Sequence, residues 1–457
     1  MTYAPVVAAV PAHAIDVARL IAGARVGPVQ VRVTALCALV VLLDGLDLQI
    51  VGYLGSALAL EWHLTADQLG RVFSSGLVGM MFGLLLCGPV ADRFGRRPVI
   101  AVSAAVLGVA TIFTAAARDP MELLACRLVV GLGLGGTLPN ALALTGDYCP
   151  ERWRASLLTV MFTGFSLGAI LGGGLAAALV ARYGWRPVFV VAGALPLFLA
   201  PVLGWLLPES PHVMLRDRRK TASLMALLRR VNPAIHLPTG RQLLLPGHVH
   251  ATGSPGRLFR DGRAIGTILL WVACFMSFME IYFLPLWLPT LLSGAGLTLG
   301  QAVLGTTAFF VGGIVGGLLC GVLMDRLGFT FVLTGVFTCA ALVVPVIGIA
   351  PGWLPAAVAT SFLAGACAGG GQKGLNALTV AFYPAQVRAT GVAWAFGVGR
   401  IGAILGPLVA GWLLARGWAA SDVLLAAALP MLGAGAVMLA LTGRQGIADQ
   451  VVAETGS

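Results

Sequence analysis

The chain has 457 residues, of which 58% are hydrophobic and only 10% charged, whereas a typical soluble domain carries about 25% charged residues. Its formal net charge is +11. This composition excludes an ordinary soluble protein and predicts a polytopic membrane protein, because about 20 consecutive apolar residues are enough for a helix to cross a bilayer. The eight cysteines lie in or beside apolar runs without CxxC spacing or nearby histidines, which argues against a metal site or a disulfide framework.

Twelve apolar runs predict twelve transmembrane helices in an all-α protein. Short polar loops separate the runs, apart from one long polar segment after the sixth. In chain order, the predicted spans lie near residues 31–57, 67–90, 98–117, 121–145, 156–181, 187–207, 265–292, 301–324, 329–350, 353–382, 389–415 and 420–442.

The long polar segment divides the chain into two bundles of six helices. The predicted parts are an N-terminal tail (1–30), a first bundle (31–207), a linker (208–263), a second bundle (264–442) and a C-terminal tail (443–457). A short helix is expected near TASLMALLRRV in the linker, which is rich in arginine. Basic residues also follow the even-numbered spans, so the positive-inside rule places the even loops and both termini in the cytoplasm. The positive charge therefore reflects membrane topology and not nucleic-acid binding.

The two bundles repeat each other in sequence. LCGPVADRFG at residues 86–95 returns as LCGVLMDRLG at residues 319–328, and Pro150 and Arg154 return as Pro384 and Arg388. A parallel repeat of six spans is typical of secondary transporters that bind their substrate between the halves near mid-membrane. Two similar bundles that rock about such a site would give alternating access.

Several ionisable residues lie inside the predicted spans, where a charged side chain costs about 2.5 to 3.5 kcal/mol on insertion scales. Each is a functional candidate unless it has a structural partner. They are Asp44, Asp47, Arg127, Glu280, Lys373 and Arg400.

Asp44 and Asp47 are three residues apart and share one face of the first span. If both face the same poorly solvated cavity, each negative charge disfavours the other, and the pair can then carry a proton at neutral pH. The structural alternative is that each is only salt-bridged to Arg127 or Arg400. Glu280 is either a further proton carrier or an ion-pair partner of a basic residue.

Arg400 is the first candidate to bind a carboxylate, because its planar fork can hold one through two hydrogen bonds. Lys373 is the second candidate, or else the counter-ion of Glu280. It belongs to a polar patch on the tenth span with Gln372 and Asn376, and the NAL sequence at Asn376 also occurs at Asn140.

Trp287 lies on the predicted side of Glu280 and is the expected contact for a substrate that carries an aromatic ring. Another group of aromatic residues in the seventh span lies nearly opposite Glu280 at 100° per residue. This aromatic stripe is expected to meet lipid or a neighbouring helix, and it consists of Trp271, Phe275, Phe278 and Tyr282.

The sequence GPVADRFGRRP at residues 88–98 resembles the signature loop of the major facilitator superfamily, and its shorter echo GVLMDRLG lies at the expected place in the second half. The resemblance implies a fold of two six-helix bundles. It also implies a gating latch, in which Asp92 meets basic groups and a helix end across the two halves and stabilises the outward-open state. The implied gating residues are Gly88, Asp92, Arg93, Gly95, Arg96, Arg97, Asp325 and Arg326.

Further sequences resemble the aromatic acid:proton symporters of that superfamily, namely DGLD, RLVVGLGLGGTLPNAL, WLPTLL and GLNALTVAFYPAQVRATGVAWAFGVGRIGAILGP. This resemblance implies import of a hydroxybenzoate-like aromatic carboxylate with protons, by a monomer in a bacterial inner membrane, with Arg127 linked to proton coupling. Lys373 departs from the small or uncharged residue expected in many relatives, so the substrate can differ from the hydroxybenzoates.

Other classes of transporter remain as alternatives. A proton-coupled carrier of another organic anion fits the same charges. A proton/drug antiporter of the superfamily typically has a Gly-Pro signature in its fifth span, where this chain has glycines without the proline, and the paired glutamines of the sugar porters are missing. An enzyme is not expected, because no nucleophile, metal or cofactor constellation is evident, and the only coupling species expected is the proton.

Overall fold

The computed structural model describes residues 14–216, 221–231, 242–244, 255–260, 262–348, 353–384 and 387–442. Within these ranges, twelve helices are long and apolar enough to cross a membrane, which confirms the predicted all-α transmembrane fold. The helices of the N-terminal half are α1 (Pro28–Trp62), α2 (Ala66–Phe94), α3 (Arg96–Ala115), α4 (Pro120–Tyr148), α5 (Arg154–Tyr183) and α6 (Arg186–Leu206). Those of the C-terminal half are α7 (Ala264–Gly294), α8 (Leu299–Leu327), α9 (Phe329–Val346), α10 (Leu354–Phe382), α11 (Arg388–Ala415) and α12 (Ala420–Thr442).

Short elements lie outside the spans. Two three-residue strands, Ala14–Asp16 and Gln242–Leu244, pair in parallel and so join the segment before α1 to the segment after α6. A helix at Thr221–Val231 coincides with the predicted TASLMALLRRV helix. The rest of the 208–263 segment is described only in part, and the predicted C-terminal tail lies outside the described residues. The other short helices are Val17–Ala22, Glu151–Trp153, Pro211–Arg216 and Pro255–Phe259.

The internal repeat extends to the way the helices begin. Thr65 caps α2 by accepting a hydrogen bond from the backbone N–H of Gln68, whose side chain accepts one from the backbone N–H of Thr65. Thr298 and Gln301 form the same reciprocal cap on α8, at the interval that separates the two LCG sequences. Such a cap satisfies two backbone donors that would otherwise lack partners at a helix start.

Glycines allow equivalent pairs of helices to pack very closely in the two halves. A Cβ added to Gly79 of α2 would lie 2.0 Å from the Leu128 carbonyl oxygen of α4, and one added to Gly131 of α4 would lie 2.0 Å from the Gly76 carbonyl oxygen of α2. In the C-terminal half, α8 approaches α10 in the same way at Gly312. Small residues permit such backbone contact between membrane helices, and this packing positions the charged residues of α4 and α10.

The two halves contact each other at the end where α2 and α8 begin and where α1, α5, α7 and α11 end. Gly70 of α2 lies against Pro407 of α11, and a Cβ added to Gly52 of α1 would lie 2.8 Å from the Leu286 carbonyl oxygen of α7. Ser74 of α2 donates a hydrogen bond to the Ile404 carbonyl of α11 at 2.8 Å. The predicted topology assigns this closed end to the periplasmic side.

The predicted gating residues lie at the opposite end of the bundles. Asp92 and Arg93 near the end of α2 are exposed, and so are Asp325 and Arg326 near the end of α8. A Cβ added to Gly88 would have no heavy atom within 4 Å. This arrangement belongs to a conformation in which the halves meet at the other end.

Candidate functional site

A buried ion pair joins α1 to α4. Arg127 donates from Nη1 to Asp47 Oδ2 at 3.1 Å and from Nη2 to the Asp47 carbonyl at 3.3 Å, and both side chains are 1% exposed. Thr111 of α3 donates to the second carboxylate oxygen of Asp47 at 2.6 Å. The carboxylate therefore has a charged partner and a hydroxyl partner, which is the arrangement that makes burial of a charge tolerable.

Asp44, one helical turn before Asp47, has a different environment. Its side chain is 3% exposed. The Thr137 hydroxyl of α4 lies 2.7 Å from Asp44 Oδ2 and 3.0 Å from the Leu134 carbonyl oxygen. Asp44 Oδ1 is buried and has no hydrogen-bond partner within the described ranges. Asp47 thus has both a guanidinium and a hydroxyl beside it, whereas Asp44 has a hydroxyl only.

The two aspartates lie inside the N-terminal bundle. Both side chains are buried, with hydroxyl partners from α3 and α4, and Gly45 between them packs against the Phe165 backbone of α5. The reason is the close packing of α3 on α4: a Cβ added to Gly133 would lie 2.9 Å from the Leu107 backbone nitrogen, one turn before Thr111. This approach surrounds the carboxyls with protein.

Arg400 of α11 lies against the aromatic stripe of α7. Its Nη1 donates to the Tyr282 hydroxyl at 2.7 Å, and its guanidinium carbon lies 5.6 Å and 5.7 Å from the ring centres of Tyr282 and Phe278. The same nitrogen contacts Met80 Sδ of α2, in the other half, at 3.4 Å. The stripe therefore meets a neighbouring helix, which was one of its two expected positions, and it includes direct contacts of the candidate substrate arginine.

Sequence reasoning missed this contact, although a signal was present. Phe278 and Tyr282 are four residues apart and so share a helix face. Gly399 precedes Arg400, and a Cβ added there would lie 2.8 Å from the Phe278 ring. A glycine beside a mid-membrane arginine is thus the feature that admits an aromatic ring.

One turn of α2 separates the neighbourhoods of the two arginines. A Cβ added to Gly76 would lie 3.8 Å from Arg127 Nη2, whereas Met80, four residues later, contacts Arg400. Arg127, a predicted proton-coupling residue, and Arg400, the predicted substrate residue, therefore lie beside consecutive turns of α2.

The polar patch of α10 is hydrogen-bonded to α7 and α8. Gln372 accepts from Ser277 of α7 at 2.8 Å and donates to Asn376 Oδ1 at 2.8 Å. Lys373 donates from Nζ to the Gly313 carbonyl of α8 at 2.8 Å. Its side chain also lies where a Cβ on Gly317 would be, so the glycines of α8 make room for it.

Glu280 is buried within the C-terminal bundle, with 1% of its surface exposed. It lines a small cavity between α7, α11 and α12, together with Phe283, Ala410 and Ala427. Its Oε1 atom has no hydrogen-bond partner in the part of the chain that the structure describes. The expected alternative of an ion pair with Lys373 is not realised, because Lys373 turns towards α8.

Trp287 and Asn140 occupy packing positions. The Trp287 indole N–H donates to the Pro407 carbonyl at 3.1 Å, and its ring meets Phe73 of the other half edge-on at 5.2 Å. This side chain is 1% exposed and lies at the closed end, in a part of α7 that contains Pro285 and Pro289. Asn140 donates to the Gly136 carbonyl one turn earlier at 2.8 Å.

Part of the gating loop is held by the segment after α6. Glu209 accepts hydrogen bonds from the backbone N–H groups of Arg96 and Arg97 at 2.8 and 3.4 Å, which places a carboxylate at the positive end of α3. Arg96 also pairs with Asp147 at the end of α4 at 2.6 Å. Gly95, at φ +113, lies so close to Glu209 that a side chain would collide with it. Glu209 belongs to the PESP motif at residues 208–211, which therefore supplies this cap.

Comparison with known proteins gives matches along most of the chain. The family model described as Major Facilitator Superfamily matches residues 37–343 and 270–451. The 4-hydroxybenzoate transporter PcaK of Pseudomonas aeruginosa is 37% identical over 93% of this chain and 95% of that protein. A gallate transporter of Pseudomonas putida is 36% identical over 93% of this chain and 95% of that protein.

Two solved structures of transporters have the same fold as this chain. The inward open conformation of the xylose transporter XylE from E. coli has a TM-score of 0.70 at 16% identity, covering 90% of this chain and 96% of that chain. A bacterial homologue of the human lysosomal transporter Spinster, inward-facing and occupied, has a TM-score of 0.68 at 18% identity, covering 93% and 99%. The chain is therefore a multi-pass transporter that belongs to the major facilitator superfamily and, within it, to the family of the aromatic-acid transporters.

Proposed function

We propose that this protein imports an aromatic carboxylate by proton symport. The substrate class is supported by relatives more than 30% identical whose names are those of 4-hydroxybenzoate and gallate transporters. The observation that carries the coupling is Asp44, a buried carboxyl that has no ion pair in the described part of the chain, beside the fully paired Asp47 and Arg127.

The hydrogen bonds around Asp44 support a protonated carboxyl in this conformation. Thr137 has one hydroxyl proton and two acceptors within reach, the Leu134 carbonyl and Asp44. If Asp44 is un-ionised, it donates to Thr137 and Thr137 donates to Leu134, so that each donor has an acceptor. An ionised Asp44 would be a buried charge without a cation, which costs several kcal/mol. Asp47 is instead the ionised partner of Arg127, and the two form a neutral unit.

Arg400 is the proposed ligand of the substrate carboxylate. Its guanidinium can hold a carboxylate through two hydrogen bonds, and among the described residues its polar contacts are the Tyr282 hydroxyl and Met80 Sδ, both at Nη1. Lys373, Gln372 and Asn376 form a second polar site on α10. A role for Glu280 in proton coupling stays a prediction, and its place inside the C-terminal bundle separates it from the Asp44 region.

Alternating access is the proposed transport cycle. The contacts between the halves at the closed end fit an inward-open state, if the predicted topology holds, and the gating residues at the other end would meet in the outward-open state. A membrane potential drives positive charge inward with about 2.3 kcal/mol per charge per 100 mV. Import of a monoanion therefore gains from the potential only when more than one proton accompanies it.

The test is uptake by Asp44→Asn, which imitates the un-ionised residue. We expect loss of accumulation of labelled 4-hydroxybenzoate driven by a pH gradient, while exchange of labelled for unlabelled substrate across proteoliposomes continues. Asp67→Asn is the matched control, because Asp67 forms a surface pair with Arg71 at the start of α2. Wild-type uptake that ignores both the pH gradient and an uncoupler would contradict the proposal.

A further inference from the structure

The contacts of Arg400 point to a binding site for the ring of the substrate. We propose that Tyr282 and Phe278 form the aromatic wall of the substrate site, and that the Tyr282 hydroxyl holds Arg400 in place until a carboxylate displaces it. The inference rests on the proposed function, and it adds the residues that select aromatic over aliphatic acids.

The geometry of the wall supports a ring-binding role. Tyr282 and Phe278 stack with ring centres 6.3 Å apart and planes inclined by 20°, and the guanidinium carbon of Arg400 lies at nearly equal distances from both. Phe278 is buried, whereas Tyr282 and Arg400 are partly exposed. Tyr282 is therefore the ring that a ligand can reach beside the arginine, with Phe278 supporting it from behind.

Two tryptophans of α7 are already engaged elsewhere. Trp287 is enclosed at the closed end. Trp271 stacks on Trp394 of α11 at 5.7 Å and donates to the Tyr383 hydroxyl at 3.2 Å. Unlike these tryptophans, Tyr282 combines a partly exposed ring with direct contact to a mid-membrane cation.

The chemistry of displacement follows from the strengths of the two hydrogen bonds. A neutral phenol accepts one hydrogen bond from Arg400 Nη1, whereas a carboxylate carries the opposite charge and can accept two parallel bonds from the guanidinium. An arriving carboxylate therefore replaces the phenol, and its ring then lies within reach of the Tyr282 ring. Aromatic pairs prefer offset or edge-to-face contact with centres about 4.5 to 7 Å apart. When the substrate leaves, the phenol returns to the guanidinium and the empty site has no unpaired cation.

The experiment compares two acids of similar size on the purified full chain in lipid nanodiscs. The probes are 4-hydroxybenzoate and cyclohexanecarboxylate, of which only the first is aromatic. Relative to Tyr282→Phe, which lacks the same hydroxyl, we expect Tyr282→Leu to bind 4-hydroxybenzoate about two- to tenfold more weakly, the range of an aromatic pair, while binding of cyclohexanecarboxylate stays within about twofold. In Tyr282→Phe, loss of the competing hydroxyl should tighten binding of both acids by about two- to tenfold and lower the turnover number.

Tyr183→Leu and Tyr183→Phe are the matched controls, because Tyr183 is an exposed tyrosine at the end of α5. Equal weakening of both acids in Tyr282→Leu relative to Tyr282→Phe, or affinity and turnover in Tyr282→Phe equal to those of the wild type, would overturn the inference alone. A wild-type protein that binds neither acid would overturn the proposed function as well.

Discussion

Asp44 and Asp47 show how two identical residues in one helix acquire different chemistry from their neighbours. Asp47 has a guanidinium and a hydroxyl, and Asp44 has a hydroxyl only. The first therefore lies beside a cation, whereas the second is buried without one among the described residues. A single motif thus supplies both a fixed charge and a proposed site for the transported proton.

The ion pair leads to a prediction about stability. Asp47→Asn leaves Arg127 buried and unpaired, which should lower the free energy of unfolding by about 3 to 5 kcal/mol. In Asp47→Asn/Arg127→Gln the uncompensated charge is gone, so thermal stability should largely return, although transport should not. Thermal unfolding of the purified variants and uptake in cells measure the two effects.

Glu280→Gln is the matched control for this pair. Glu280 is as buried as Asp47 but has no ion pair among the described residues, so its neutral isostere should unfold within a few degrees of the wild type. Equal stability of Asp47→Asn and Glu280→Gln would show that the pair with Arg127 contributes nothing.

The charged residues of the site are all evident from the sequence, but their partners are not. A charge in an apolar run is visible from composition alone. Whether Asp47 meets Arg127 or Arg400 depends on which helices pack together and how each is rotated, and contacts between residues far apart in sequence determine both. Trp287 illustrates the same limit, because its contacts with Pro407 and Phe73 join residues that are far apart in sequence.

At the scale of helices, equivalent pairs of helices in the two halves pack with close backbone contact. The α2–α4 pair and the α8–α10 pair approach through glycines, and α4 and α10 carry residues of the predicted site. The number of helices and their approximate extents follow from hydropathy, whereas their pairing follows from small residues whose partners lie far away in sequence.

A substitution in α4 tests this packing. Gly131→Ala would place a Cβ 2.0 Å from the Gly76 carbonyl oxygen, and overpacking of this kind costs about 1 to 3 kcal/mol. We expect a lower melting temperature and less folded protein on size exclusion. Gly174→Ala is the control, because a Cβ there meets no heavy atom within 4 Å; similar losses in both variants would argue against the role of the contact.

At the scale of the whole molecule, the halves are joined at one end by a limited set of contacts. The cross-half hydrogen bond from Ser74 to Ile404 is one of them. A transporter that alternates between two states needs contacts of this kind to be few and weak enough to break in each cycle, because a population balance shifts only by the free energy that distinguishes the states.

Removal of that hydrogen bond should shift the balance between conformations. Ser74→Ala loses a bond worth about 1 kcal/mol, which changes the ratio of the two states by about fivefold. Deuterium uptake at the start of α2 and the end of α11 should rise accordingly. In Ser75→Ala it should not, because Ser75 donates within its own helix to Val72. Identical exchange in the two variants would mean that the Ser74 contact does not hold this end closed.

The position of Gly76 and Met80 on consecutive turns of α2 has a consequence for energetic linkage. One helical turn advances only about 5.4 Å, so a displacement of the Arg127 guanidinium after a change in carboxyl protonation acts on the helix that also contacts Arg400. Substrate affinity at Arg400 and protonation of the carboxyl near Arg127 can then influence each other reciprocally, as linkage requires. The connection between them would be one short segment of α2 and not a long series of side-chain contacts.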